Sequence, residues 1–183
     1  HMILLSSSNT STVLYSASRE LIIEWAKHLK RYTISFDFER DFEPRDKVGE
    51  GTYGTVITAK SKQDGRHYAA KKLQKSRIRE NQTELEFILN ELKIISIIDH
   101  LDIVRLVAVY EDQDWLYLVT NVFTGNELLL KVLLGNGLET EEVVRLGHQL
   151  LLILTYLEQK HIVHHDLKPQ NLIFRDSSEA SDL

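Results

Sequence analysis

The sequence predicts an α+β fold, in which a five-stranded antiparallel sheet carrying one helix is followed by a helical region. Three observations carry this expectation. Between residues 47 and 73, runs rich in β-branched residues alternate with glycine-containing turns, the pattern of a hairpin meander. Leu85, Ile88, Leu89, Leu92 and Ile95 then recur at helical spacing, and two further strand-like runs, 107–110 and 116–119, flank the acidic turn Glu111-Asp112-Gln113-Asp114. Beyond residue 128 the apolar spacing is helical twice over, and it ends in the short apolar run Leu172-Ile173-Phe174.

Composition sets the outer bounds. The chain has 183 residues, 43% hydrophobic and 27% charged, which suits one ordinary domain or parts of two. A net charge of −5 argues against a nucleic-acid partner. There are no cysteines, which excludes disulfides and thiolate metal sites. The apolar run at 150–154 is far too short to span a bilayer, and Met2-Ile3-Leu4-Leu5 lacks the basic start of a signal peptide. A cytoplasmic location is the expectation.

Residues 3–11 are Ser-rich and read as a loop; 12–16 read as a strand. Ser18 can cap a helix carrying Leu21, Ile22, Trp25 and Leu29 on one stripe, where Trp25 is expected to be buried. This strand, turn and Trp-bearing helix resemble the C-terminal end of a pleckstrin-homology domain. The resemblance implies that a parent protein is recruited to membrane lipid through the rest of that domain. Residues 33–39 alternate as a strand does, and 41–46, charged and containing Pro44, read as a linker. The expected domains are therefore 1–41, 42–123 and 124–183.

Gly49, Gly51 and Gly54 fit G-x-G-x-x-G-x-V, with Val56 closing the motif. Glycines here let backbone amides approach phosphates closely. A dinucleotide-binding fold uses similar spacing but starts a helix at the third glycine; here Thr55, Val56, Ile57 and Thr58 continue as a strand. On the strand after the Asp64-Gly65 turn, Ala69, Lys71 and Leu73 share one face, and Lys72 is expected to point the other way, into solvent. Asn81 or Thr83 can cap the next helix, on which Glu91 lies beside the apolar stripe. Thr140 can cap a long helix lined by Val143, Leu146, Leu150, Leu154 and Leu157.

The stretch His164-His165-Asp166-Leu167-Lys168-Pro169-Gln170-Asn171 suits phosphoryl chemistry. An aspartate can accept a hydroxyl proton, a lysine can offset charge on the moving group, and an asparagine oxygen can hold Mg²⁺. A metal site built on His161, His164 and His165 is disfavoured, since Asp166 is the one carboxylate beside them.

Taken together, the glycine loop, Lys71, Glu91 and the Asp166–Asn171 stretch resemble the protein kinases, over about residues 42–183. That resemblance implies a small lobe followed by the first helices and catalytic loop of a large lobe. It implies ATP and Mg²⁺ as cofactor and metal, and a protein Ser/Thr hydroxyl as acceptor. Lys71 would hold phosphates, Glu91 would orient Lys71, Asp166 and Lys168 would serve transfer, and Asn171 would hold Mg²⁺. Ala69, the gatekeeper position Thr120, the hinge residues Asn121 and Phe123, and the ribose-reaching Glu127 would complete the nucleotide contacts. Lys168-Pro169 is similar to the Ser/Thr-specific branch, and the wording around Glu91 and Glu127 to the calcium/calmodulin-dependent group. His165 stands where the family has arginine. No Asp-Phe-Gly occurs within the 183 residues, so the resemblance implies a chain cut within the catalytic domain, inactive alone and prone to self-associate through Leu150, Leu151, Ile153 and Leu154. The alternative reading is a pseudokinase-like nucleotide-binding or scaffolding module.

Overall fold

Strand-forming runs that share a register build the first unit. In the computed structural model, which describes residues 1–7, 10–51, 54–135 and 137–176, the chain divides into two units. Residues 1–89 and 106–120 form one, and residues 90–105 and 121–183 the other.

The first unit opens with a hairpin, β1 (Met2–Ser6) against β2 (Ser11–Tyr15), so the Ser-rich start is a strand rather than the expected loop. Helix α1 (Arg19–Leu29) follows, its N-terminus closed by Ser18 Oγ accepting from the Leu21 amide at 3.2 Å. No α1 residue is buried, and Trp25 is 52% exposed. This overturns the expected burial of Trp25: the stripe forms as its spacing requires, but no apolar layer among the described residues covers it.

A six-stranded sheet carries the rest of the unit, in the order β3 (Ile34–Phe36), β7 (Leu106–Glu111), β8 (Trp115–Thr120), β6 (His67–Gln74), β5 (Gly54–Ser61), β4 (Phe42–Gly51). The five antiparallel strands lie as expected. The sixth, β3, comes from the N-terminal segment and pairs parallel to β7. The expected linker at 41–46 is instead the end of the short helix α2 (Phe38–Asp41) and the start of β4. Pro44 is compatible with a strand there because β4 is an edge, and an edge strand need not donate on both sides.

Direct cross-strand partners share a sheet face, which sorts the side chains. On one face, Ala59, Ala70, Ala108, Tyr110, Tyr117 and Val119 are buried with Phe38 and Phe42. Phe38 stacks on Tyr117 with ring centroids 4.5 Å apart and on Phe42 at 5.3 Å, and meets the Tyr110 edge at 5.7 Å. Beside this aromatic layer lies a polar tie. Lys30 Nζ donates to Asp41 Oδ2 at 2.8 Å and to the Tyr110 hydroxyl at 3.2 Å, and Tyr110 donates to the same Asp41 oxygen at 2.6 Å. Partial burial works to raise the Asp41 carboxyl, but the hydrogen bonds from Lys30, Tyr110 and Arg40 outweigh it and hold it down to about 2. Burial, reinforced by the bond to Asp41, pushes Tyr110 well above the usual phenol range.

Helix α3 (Lys75–Glu80) buries Ile78 and leads to α4 (Gln82–Ile97), within which the division between units falls. Asn81, not Thr83, caps α4: its Oδ1 accepts from the Thr83 and Glu84 amides at 3.1 and 3.3 Å. Ile88 on the stripe is buried, whereas Leu89 is exposed.

In the second unit, Ile98, Ile153 and Leu157 form one core, joined by Ile94, Ile103, Tyr156 and Ile162. Leu146 and Phe174 form another, between α5 (Leu128–Leu134) and α6 (Thr140–Gln159). The cap of α6 is Glu139, so Thr140 is the first helical residue and not the expected cap. Its stripe buries Leu146, Ile153 and Leu157, while Val143 and Leu151 stand in solvent.

Candidate active site

Each unit contributes a set of expected site residues. In the first, β4 and β5 meet around the glycine motif, with Gly49 opposite Val56 and Gly51 opposite Gly54. The tip, Thr52 and Tyr53, lies outside the described residues. Gly54 is required by close approach: a Cβ there would press on the Lys72 carbonyl group and come within 2.9 Å of Leu73 Cδ2.

Register brings four of the expected nucleotide residues to one face. Lys71 is opposite Val56 on β5 and Leu118 on β8, and Ala69 is opposite Thr58 and Thr120. Val56, Ala69, Lys71 and Thr120 therefore share the face opposite the Phe38 layer. Lys72 does point the other way, but not into solvent as expected. Its Nζ sits 4.1 Å from the Trp115 ring centroid and 5.6 Å from that of Tyr117, where cation–π attraction replaces lost hydration. Glu91 lies on α4 in the second unit.

In the second unit, Asn121 is tied to Arg105 by two bonds: its Oδ1 accepts from the Arg105 amide at 2.6 Å and its amide donates to the Arg105 carbonyl at 3.2 Å. Phe123 follows, partly covered. Residues 124–128 then pair with 172–175. Gly125 N donates to Phe174 O, Phe174 N to Asn126 O, and Leu128 N to Leu172 O, at 2.8 to 3.1 Å, with a bridge between Glu127 and Ile173. A Cβ on Gly125 would come within 2.6 Å of Phe174 Cβ, so this ladder depends on a glycine there. The sequence offered one signal for it, the apolar run 172–174 after a polar loop.

That ladder fixes the exit of the loop bearing Asp166, and a helix end fixes its entrance. After α6, His161 adopts φ +57°. Its amide donates to Glu158 O at 2.8 Å and that of Ile162 to Leu157 O at 2.9 Å, a Schellman closure sealed by Ile162 packing with Leu157. Between the two anchors, Asp166 Oδ2 receives Lys168 Nζ at 2.9 Å and Asn171 Nδ2 at 3.0 Å, and Asn171 Nδ2 also reaches the Asp166 carbonyl at 2.8 Å. The hydrogen bond from Lys168, then that from Asn171, hold the Asp166 carboxyl below the usual range. All three side chains are exposed, so this pairing orients the groups far more than it stabilises the fold. Both bonds land on Oδ2, which leaves Oδ1 open to an incoming hydroxyl. With Nδ2 committed, the amide oxygen of Asn171 is its free donor to a cation. An amide oxygen of this kind fits Mg²⁺, which takes one or two protein oxygens and completes its shell with water and phosphate. His165, at φ +61°, lies exposed beside Asp166.

Residues 42–181 match the protein kinase domain model. The chain belongs to the protein kinase domain family. Relatives within it include calcium-dependent protein kinase 5 of Plasmodium berghei, 36% identical over 148 residues, covering 80% of this chain and 26% of that protein. Calcium-dependent protein kinase 4 of Plasmodium falciparum is 30% identical over 142 residues, covering 78% of this chain and 27% of that protein. Calcium/calmodulin-dependent protein kinase type 1 of Caenorhabditis briggsae is 32% identical over 152 residues, covering 82% and 41%. The kinase-domain chain thus spans between about a quarter and two fifths of the length of these relatives.

Proposed function

We propose that this chain is the nucleotide-binding and catalytic-loop portion of an ATP-dependent Ser/Thr protein kinase of the calcium- and calmodulin-regulated type. The observation that carries the reading is the Asp166–Lys168–Asn171 arrangement, in which an ionised carboxylate keeps one oxygen free beside a positive charge. Family membership and relatives named as calcium-dependent kinases support it.

In this reading the amides around Gly49, Gly51 and Gly54 receive ATP phosphates, and Lys71 neutralises the α- and β-phosphates with Glu91 orienting it. Val56, Ala69, Thr120, Asn121 and Phe123 enclose the base, and Glu127 reaches the ribose. Asp166 Oδ1 accepts the proton of the substrate Ser or Thr hydroxyl as that oxygen bonds to the γ-phosphorus and the bond from the γ-phosphorus to the β,γ-bridging oxygen breaks, releasing ADP. Lys168 offsets charge on the transferring group. Asn171 holds Mg²⁺, which when bound neutralises the phosphates. The N-terminal hairpin and α1, with their exposed apolar side chains, are consistent with a piece of a pleckstrin-homology domain, whose remainder would carry lipid recruitment.

The test is radiolabelled phosphoryl transfer to Ser/Thr peptides by the parent protein. Asp166→Asn should lower the rate by about 10²–10⁴, with MgATP binding retained. Unchanged transfer in Asp166→Asn would refute the assignment; MgATP binding with no transfer by the unaltered parent would favour a scaffolding module.

A further inference from the structure

The aromatic layer that includes Phe38 covers the sheet face opposite Lys71, and the same strands carry both. Tyr117, on which Phe38 stacks at 4.5 Å and 2° between ring planes, is the direct cross-strand partner of Lys72. Lys72 in turn lies over the rings of Trp115 and Tyr117. The next pair along these strands is Lys71 with Leu118. The Tyr117 ring thus packs at the cross-strand pair directly beside Lys71. Phe38 has nowhere to relax: it is 3% exposed and also contacts Phe42 and the Tyr110 edge. Its backbone is held on both sides. Before it, β3 pairs with β7, and Asp37, at φ +63°, caps α2 by accepting from the Arg40 amide at 3.2 Å. After it, Asp41 is bound by Lys30 and Tyr110. Packed interiors transmit displacements because they cannot be compressed.

We infer that Phe38 is a positioning residue for nucleotide binding: residues 30–41 clamp the back of the sheet, and Phe38, through Tyr117 and Lys72, sets where β6 presents Lys71. This rests on the reading of Lys71 as a phosphate ligand. It also makes the N-terminal segment a control element, since anything that pulls on α1 loads the Lys30–Asp41–Tyr110 tie and hence the clamp.

The experiment measures MgATP affinity of the 183-residue chain by calorimetry, per folded molecule, alongside amide hydrogen exchange of β6 and β8 without ligand. Phe38→Leu keeps apolar volume while removing the stacked ring; Ile78→Val, buried on α3, controls for general loss of stability. Phe38→Leu should weaken MgATP binding about three- to thirtyfold, the range for mutations along a coupled network, and speed exchange at Lys71 and Leu118. Ile78→Val should do neither. On a Lys71→Met background, Phe38→Leu should cause little further loss, because coupled residues are not additive. Should Phe38→Leu misfold, Lys30→Met provides the same test from the tie. Unchanged affinity in folded Phe38→Leu, or a full additional loss on the Lys71→Met background, overturns the inference while leaving the kinase reading intact. No MgATP binding by the unaltered chain, or binding indifferent to Lys71→Met, overturns the nucleotide assignment and the inference with it.

Discussion

Tyr110→Phe tests the tie between the N-terminal segment and the sheet. The ring of Tyr110 is fully buried and a phenylalanine keeps it, so the change deletes one hydroxyl. That hydroxyl donates to Asp41 Oδ2 at 2.6 Å and accepts from Lys30 at 3.2 Å. Hydrogen bonds to charged groups are worth about 1.5–3 kcal/mol. Asp41 and Lys30 still pair at 2.8 Å in the variant, so neither charge is orphaned and the low end applies, about 1.5 kcal/mol. For a chain of this size that is a fall in Tm of roughly 3–6 °C. Urea unfolding at pH 7 reads it directly. The pH dependence follows from Asp41, whose carboxyl is held at about 2 against an ordinary 3.8. A depressed carboxylate contributes stability that is fully present above its unfolded value and lost as pH falls through its folded one. The gap between the two proteins should therefore be flat above about pH 4 and narrow toward pH 2. A loss under about 0.5 kcal/mol at pH 7, or a gap that widens on acidification, would refute the argument.

Three further outcomes are expected. Gly54→Ala should destabilise the β5–β6 pairing by about 1–3 kcal/mol, as overpacking does, because the added methyl meets backbone that cannot move aside; thermal melts check it. His161→Gly should stabilise the second unit by about 1 kcal/mol, since a left-handed conformation strains any residue with a Cβ, and chemical denaturation should show the gain. Lys168→Met removes the largest influence holding Asp166 down, so its carboxyl should titrate higher and the acid limb of the parent's pH–rate profile should move to higher pH; an unmoved limb would separate Asp166 ionisation from turnover.

Local signals made much of this chain readable in advance. Strands β5 to β8 follow from β-branched and aromatic runs bounded by turns, and the placement of Val56, Ala69, Lys71 and Thr120 on one face follows from alternation and pairing. What the sequence concealed was non-local. Alternation at 33–39 pointed to strand β3, but not to its partner: β7, some seventy positions later, pairs with it in parallel and adds it to the sheet. Phe42 looks like part of a charged linker until Phe38, Tyr68 and Tyr110 surround it. Lys72 looks like a surface lysine until Trp115 arrives from β8. Trp25 misled in the opposite direction: helical spacing tells which side of a helix is apolar, but not whether anything lies against it. The grouping of Asp166 with Lys168 and Asn171 was legible because the partners are two and five residues away, whereas the ladder of 124–128 with 172–175 that fixes the loop's exit was not.

The way this loop is anchored has an evolutionary consequence. Its ends are secured by backbone hydrogen bonds, by half-buried Ile162 and by buried Phe174, while the side chains of Asp166, Lys168 and Asn171 stand in solvent. In the proposed reading, folding and chemistry are thus assigned to different residues. A lineage can lose Asp166 in one nucleotide change without losing the scaffold, and selection on stability would not notice. In that reading, the distance between a catalytic loop of this kind and a silent one on the same scaffold is a single exposed side chain.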